Sequence, residues 1–282
     1  MKINSISSSD DAFPTRLRDI PGSPKQLFYR GELPDDTRKF ASIVGTRKPT
    51  PYGAEVTRQL ARKLAERGVV IVSGLALGID ALAHQGALAA KGTTLAVLAH
   101  GLHDINPHSN IPLGEQILDN GGALISEYEA GIEVHKVRFL ERNRLVSGLC
   151  DALIVTEASS RSGTFNTVSH ALEQGRDVYA VPGPITSPMS RGTNLLIAQG
   201  ATPITDIDAF VDRFVPVSGQ IQPTLAYSEA EQTIINLIKQ GSRDGEELQA
   251  KSQLEAGLFA TTLTMLELRG AIRPLGANQW SL

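Results

Sequence analysis

Residues 135–144 place four cations, Lys136, Arg138, Arg142 and Arg144, against one acid, Glu141, around a ring and an amide, Phe139 and Asn143. Guanidinium and ammonium groups hold phosphate, an asparagine amide hydrogen-bonds a base edge, and a phenyl ring stacks on a base face. Those residue types together fit a nucleic-acid strand. They also fit the exposed, basic start of a surface helix, so what decides between the two readings is what the chain builds around them.

Three further places offer groups for an anion, each directly after an apolar run. Gly45-Thr46-Arg47-Lys48 combines a glycine that lets backbone approach a ligand with an arginine that can fork two phosphate oxygens. Ser73-Gly74 opens a small-residue turn running to Gly78-Ile79-Asp80. Ser160-Arg161-Ser162-Gly163-Thr164 leads into a helical pattern, and amides at a helix start favour anions. Each turn by itself is also what a tight strand-to-helix loop needs.

Other chemistries find less support. The glycine spacings match neither a dinucleotide fingerprint nor a P-loop, so no cofactor is expected. His100, His103, Asp104 and His108 share one loop, but their spacing fits no standard metal-ligand pattern. His84 reads as a packed or hydrogen-bonded residue of the fold. No serine sits in a nucleophile elbow, and Cys150 has no partner histidine placed by a motif.

The elements that must position these residues are legible in the hydropathy pattern. Strand-like runs at Ala41–Val44, Val69–Ser73, Thr94–Leu98, Ala123–Ser126, Ala152–Val155 and Val178–Val181 alternate with helical patterns. The helical stretches are Ala54–Arg67, Ile79–Ala90, Glu115–Asp119, Asn143–Leu149, Thr164–Gln174 and Asn194–Ala198. This alternation predicts a doubly wound α/β fold, a parallel sheet covered on both faces. Ligands of such sheets bind beyond the carboxyl ends of the strands, where all three turns lie. Phe139–Arg144 is expected at the same edge.

The domain layout expected is an N-terminal extension over 1–38 that packs on the main domain, a Rossmann-like domain over 39–215, a linker over 216–224 and a winged helix over 225–282. The last rests on three helical patterns, Ser228–Lys239, Gly245–Lys251 and Leu258–Arg269, before a strand-like end at Ala271–Leu282. Residues 225–282 carry five basic and seven acidic side chains, and the third helical pattern offers only Arg269 as a cation. A duplex reader depends on many phosphate contacts, so protein contacts or internal packing are expected of this module.

The net charge of −3 excludes a uniformly basic nucleic-acid coat and requires any polyanion site to be local. With one cysteine, no apolar signal core near Met1–Asp11 and no stretch approaching a membrane span, the expectation is a cytoplasmic protein without membrane attachment.

Taken in order along the chain, these motifs resemble the DNA-processing protein A (DprA/Smf) family. Val44-Gly45-Thr46-Arg47 with Tyr52-Gly53, Ser73-Gly74-Leu75-Ala76 with Gly78-Ile79-Asp80, and Ala83-His84 carry the first half. Gly101-Leu102, Ser126-Glu127, Phe139 with Arg142-Asn143-Arg144, Ser162-Gly163-Thr164, Glu173-Gln174-Gly175-Arg176 and Val181-Pro182-Gly183 carry the second. Phe13-Pro14 and Leu27-Phe28-Tyr29-Arg30-Gly31 resemble the family's N-terminal segment. The resemblance implies an extended Rossmann-like domain with a mostly parallel sheet that binds single-stranded DNA, dimerisation to a homodimer and hand-off to a RecA-type recombinase, as in natural transformation. Carried over by motif, the DNA contacts would be Arg47, Lys136, Phe139, Arg142, Asn143, Arg144 and the Ser162–Thr164 turn. Gly45, Thr46, Lys48, Ser73 and Gly74 complete the expected nucleic-acid site. Two features depart from the family: the helical module that often precedes the N-terminal segment has little chain to occupy here, and Phe165, Asn166 and Thr167 replace the usual leucine and isoleucine-threonine.

Two rival readings come from other classes. A nucleotide phosphoribohydrolase of the cytokinin-activating type uses a Gly-Thr-x-x-Glu turn, whereas Gly163-Thr164 is followed by Phe165, Asn166 and Thr167, without the carboxylate that assists glycosidic cleavage. A nucleotide-sensing domain coupled to a winged-helix regulator would need the acidic C-terminal module to grip duplex DNA.

Overall fold

The computed structural model describes residues 2–216, 228–268, 271–276 and 278–281. They form two compact units, divided between Pro216 and Val217. The expected linker falls, from residue 217 onward, outside the described residues, as does Arg269.

In the first unit the chain runs β1 (Asn4–Ser7), β2 (Gln26–Gly31), β3 (Phe40–Val44), α1 (Pro51–Glu66), β4 (Val70–Ser73), α2 (Ile79–Ala89) and β5 (Thr94–Leu98). It continues with α3 (Ile111–Asp119), β6 (Ala123–Ser126), α4 (Lys136–Gly148), β7 (Ala152–Val155) and α5 (Thr164–Glu173). The last elements are β8 (Asp177–Ala180), α6 (Arg191–Ala198), β9 (Thr202–Pro203) and α7 (Ile207–Phe214). The nine strands make one sheet in the order β1-β2-β6-β5-β4-β3-β7-β8-β9. From β6 to β9 all pairings are parallel, while β1 and β2 join antiparallel at one edge.

Period-two alternation distributes each strand between two cores. Val70 and Val72 face one apolar cluster with Leu145, Leu149, Val168 and Leu196. Ile71, between them, joins Leu60, Leu64, Leu82 and Phe210 on the opposite face. Both faces are therefore covered, and the central strands are fully buried, which explains their near-continuous apolar runs. The chain winds outward from β3 through β4, β5 and β6, then returns to β3's other side with β7. The crevice between the carboxyl ends of β3 and β7 is thus the topological switch point, where such sheets bind ligands.

Three departures from the sequence-based boundaries have physical reasons. Residues 1–38 contribute β1 and β2 to the sheet itself, through registered pairs such as Tyr29 with Ile125. The polar run Asn4–Ser7 is a strand only because β2 offers it an edge to pair with. Helix α4 begins at Lys136, seven residues before the expected Asn143; its buried apolar residues, Leu145, Val146 and Gly148, lie only in its second half, so the hydropathy pattern marked that half alone. Its first two turns carry no continuous apolar stripe that a sequence pattern could reveal.

The second unit contains α8 (Glu229–Lys239), α9 (Gly245–Ser252), α10 (Ala256–Leu268) and a hairpin of β10 (Arg273–Gly276) with β11 (Gln279–Ser281). Ser228 and Glu231 form a reciprocal capping box at the start of α8. Ile234, Ile235, Ile238, Leu248, Phe259, Leu263, Leu266 and Ile272 make its own core. Three helices and a terminal hairpin are a winged-helix arrangement.

Candidate functional site

Loop ends from β3, β4 and β7 and the exposed half of α4 converge on a cleft of about 290 Å³ at the switch point. Gly45, Thr46 and Arg47 enter from β3, and Gly74 from β4. Phe139, Arg142 and Asn143 line the side formed by α4, and Ser162, Gly163 and Thr164 the side at the start of α5. Segments more than a hundred residues apart in sequence thereby share one cavity.

The other expected residues lie elsewhere. Lys48 and Lys136 are exposed but do not line the cleft, and Ser73 is buried with its hydroxyl donated to the Ile43 carbonyl at 2.7 Å. Arg144 points away: its Nη2 binds both carboxylate oxygens of Glu127, at 2.6 and 2.8 Å, and its Nε donates to Gly22 O. The alternating direction of α4 side chains separates Arg144 from Phe139 and Asn143, a consequence of helical pitch that the linear spacing conceals.

Arg142 sits at the cleft wall but is only 4 % exposed. Its Nη1 donates to Gly74 O at 2.8 Å and to Val97 O, so it ties α4 to the ends of β4 and β5. Burial lowers its pKa, opposed by the nearby Asp80 carboxylate. Residue types alone marked Arg142 as a phosphate ligand; its guanidinium is instead committed to backbone carbonyls. Glycine at 74 suits this contact, since a Cβ there would collide with the Arg142 guanidinium, which burial and its carbonyl partners hold in place.

Two carboxylates matter that residue spacing did not single out as site residues. Asp80 lines the cleft and accepts hydrogen bonds from the amides of Gly74 at 3.1 Å and Ala76 at 3.4 Å. Burial raises its pKa, with Arg142 and these amides pulling the other way. Its oxygens brace the turn after β4, and its position just inside a glycine-led helix start was the available signal. Glu157, buried two residues after β7, holds both ends of the Arg47 loop. Its carbonyl accepts from Thr46 N at 2.8 Å, and its carboxylate accepts from Thr50 N at 2.8 Å and Thr50 Oγ1 at 2.6 Å. Thr50 in turn caps α1 by accepting from Gly53 N.

At the cleft mouth the Arg47 guanidinium lies over the Phe139 ring, 5.4 Å from its centroid. Cation and ring thus form a shared wall with an exposed charge. Across from them the Ser162 and Thr164 hydroxyls are 2.8 Å apart, and the turn is open at Gly163, where a Cβ would meet nothing within 4 Å. One arginine, one ring and a hydroxyl-lined helix start can together hold a phosphate beside a stacked base.

The histidine loop offers no comparable site. His108 pairs with Asp104 at 3.2 Å, His103 Nδ1 accepts from Gly131 N, and His100 Nδ1 contacts Gly101 O. Among the described residues no group of three or more potential ligands could hold a metal ion, and no helix is long and apolar enough to cross a membrane.

A family model described as DNA recombination-mediator protein A matches residues 4–215. The chain belongs to the DNA recombination-mediator protein A family. A second family model, the DprA winged helix domain, matches residues 220–278. Protein Smf of Escherichia coli is 40 % identical over 73 % of the chain, and the match spans 55 % of that relative's length. The crystal structure of DNA processing protein A from Streptococcus pneumoniae shares 39 % identity with a TM-score of 0.70, covering 76 % of this chain and 75 % of that one. A structure of the Helicobacter pylori protein, solved to explain its single-stranded DNA binding mode, shares 34 % identity with a TM-score of 0.68, over 75 % and 95 %. Two further relatives, from Bacillus subtilis and Streptococcus pneumoniae, are named DNA processing protein DprA and are 40 % and 42 % identical over 72 % of the chain.

Proposed function

We propose that the protein binds single-stranded DNA in the switch-point cleft, protects it, and loads a RecA-type recombinase onto it, in natural transformation or another homologous recombination process. It does so as a homodimer in the cytoplasm. The observation that carries the DNA reading is the meeting of Arg47, Phe139 and the Ser162–Thr164 turn in one cavity at the sheet's switch point. A cation, a stacking ring and a phosphate-sized hydroxyl cradle suit a strand whose bases are unpaired. The cleft is local, which agrees with a chain of net charge −3.

Residues 225–282 are assigned protein contacts or internal packing rather than duplex binding, because acids outnumber bases there. Fluorescence titration with single-stranded and duplex oligonucleotides over a range of salt tests the reading. Preference for the single strand, with log affinity falling linearly against log salt, is expected; equal affinity for both forms would count against it. Recombinase loading is read separately, as faster filament growth on a strand precoated with single-strand-binding protein.

A further inference from the structure

On the far side of Arg47 and Phe139 lies a second, smaller hollow, completed by Ala76, Leu77, Asn106 and Pro107. It is built by the loops after β4 and β5. Asn110 ties these loops together, donating from Nδ2 to Leu75 O at 2.9 Å and Ala76 O at 3.3 Å. Leu75 points into the core and is fully buried, so the turn rests on it and presents Leu77 outward, 48 % exposed. Asn106 is half-buried, and its side-chain amide has no hydrogen-bond partner among the described residues.

A half-exposed leucine, a proline and one face of a phenyl ring beside an unpaired amide are a specific combination. Water serves the apolar groups badly, and an unpaired amide held beside them is a ready partner for a polar edge. A phosphate has less to hold it there than in the cleft, because the hollow offers Arg47 without the Ser162–Thr164 turn. A nucleobase does fit: its faces are apolar and its edge carries both donors and acceptors. The hollow and the cleft share Arg47, Ala76 and Phe139 as lining, so that one strand passing over this wall can reach both.

We infer that this hollow is a nucleobase subsite. A base unstacked from the strand rests against Leu77 and Pro107, and the Asn106 amide hydrogen-bonds its edge while the phosphates follow Arg47 and the Ser162–Thr164 turn. An amide has both a donor and an acceptor, so it serves any of the four bases. The inference rests on the single-strand reading above and adds two residues, Leu77 and Asn106, to which nothing in the family match assigns a role.

The test uses the full chain, Leu77→Ala and Asn106→Ala, with oligothymidylates carrying a single abasic position moved along the strand. Both side chains are away from the cores, and melting temperatures verify that the variants fold. In the unaltered protein, one abasic position should lower affinity on the order of fivefold, the worth of one net hydrogen bond or a partly buried side chain. Each variant should lose about the same factor on the intact strand and lose sensitivity at that position. The slope of log affinity against log salt should stay unchanged, because no phosphate contact is removed. Variants that bind like the unaltered protein, keep the abasic sensitivity or flatten the salt slope overturn the subsite. Failure of the broader reading looks different: the unaltered protein would not prefer single strands, or Arg47→Ala would leave the salt slope intact.

Discussion

The Arg47 guanidinium covers the Phe139 ring at 5.4 Å from its centroid, joining the loop after β3 to the first half of α4. The pair brings a cation and an aromatic ring into one wall, and the proposed DNA site would use the first for charge and the second for stacking. Phe139→Ala should weaken single-strand binding by about 1–3 kcal/mol without changing its salt dependence. Arg47→Ala should weaken it too, but with a log–log salt slope smaller in magnitude by roughly 0.7, one single-strand phosphate contact. Titrations at four or five salt concentrations separate the two, and an identical slope change in both variants would refute the division of labour.

Arg142 is predicted to act on stability first. Arg142→Ala leaves Asp80 buried without its cation and frees the carbonyls of Gly74 and Val97, so a loss of about 3–5 kcal/mol is expected in urea denaturation. Gly74→Ala should mimic it, because the new methyl displaces the guanidinium. A stable, well-folded Arg142→Ala protein whose only defect is DNA affinity would return Arg142 to the role of phosphate ligand.

Glu157 should matter through Arg47. Removing a negative charge near a phosphate site would by itself strengthen binding, whereas loosening the Thr46 and Thr50 anchors should weaken it. Glu157→Gln is therefore expected to bind single strands about three- to tenfold more weakly, the equivalent of one hydrogen bond. In an Arg47→Ala background the same change should cost nothing further. Additive losses in this double-mutant cycle would show that Glu157 serves general stability instead.

His84 makes stability depend on pH. Its Nδ1 contacts Thr94 Oγ1 at 2.7 Å inside the core, and burial lowers its pKa from 6.5 to about 3. Between those values the unfolded chain takes up a proton that the folded chain refuses. Stability contributed by neutral His84 is thus present above about pH 6.5 and lost progressively as pH falls toward 3. Urea midpoints measured between pH 7 and 4.5, roughly the upper part of that window, should fall more steeply for the unaltered protein than for His84→Gln. Parallel curves would mean that other groups control the acid limb.

Much of the fold was readable because its sheet is parallel and covered on both faces. Runs such as Leu95–Leu98 and Ala152–Val155 are apolar throughout, as strands whose two faces are both kept from water tend to be. The turns after these strands were equally visible, because only glycine and small polar residues let loops approach one another at the switch point. Asn4–Ser7 and the first turns of α4 were not visible, since pairing and position, rather than a buried stripe, create them.

The sequence by itself determined the succession of strands and helices along the chain, the winged helix by its pattern, and the presence of Arg47 and Ser162–Thr164 beyond strand ends. Tertiary structure alone decided what Arg142 and Arg144 of α4 do. Arg142 and Arg144 sit two residues apart with the same chemistry, yet one is buried on Gly74 and Val97 carbonyls and the other is clamped by Glu127. The physical reason is helical pitch: neighbours two residues apart face different surroundings, and a guanidinium takes the nearest acceptors those surroundings offer.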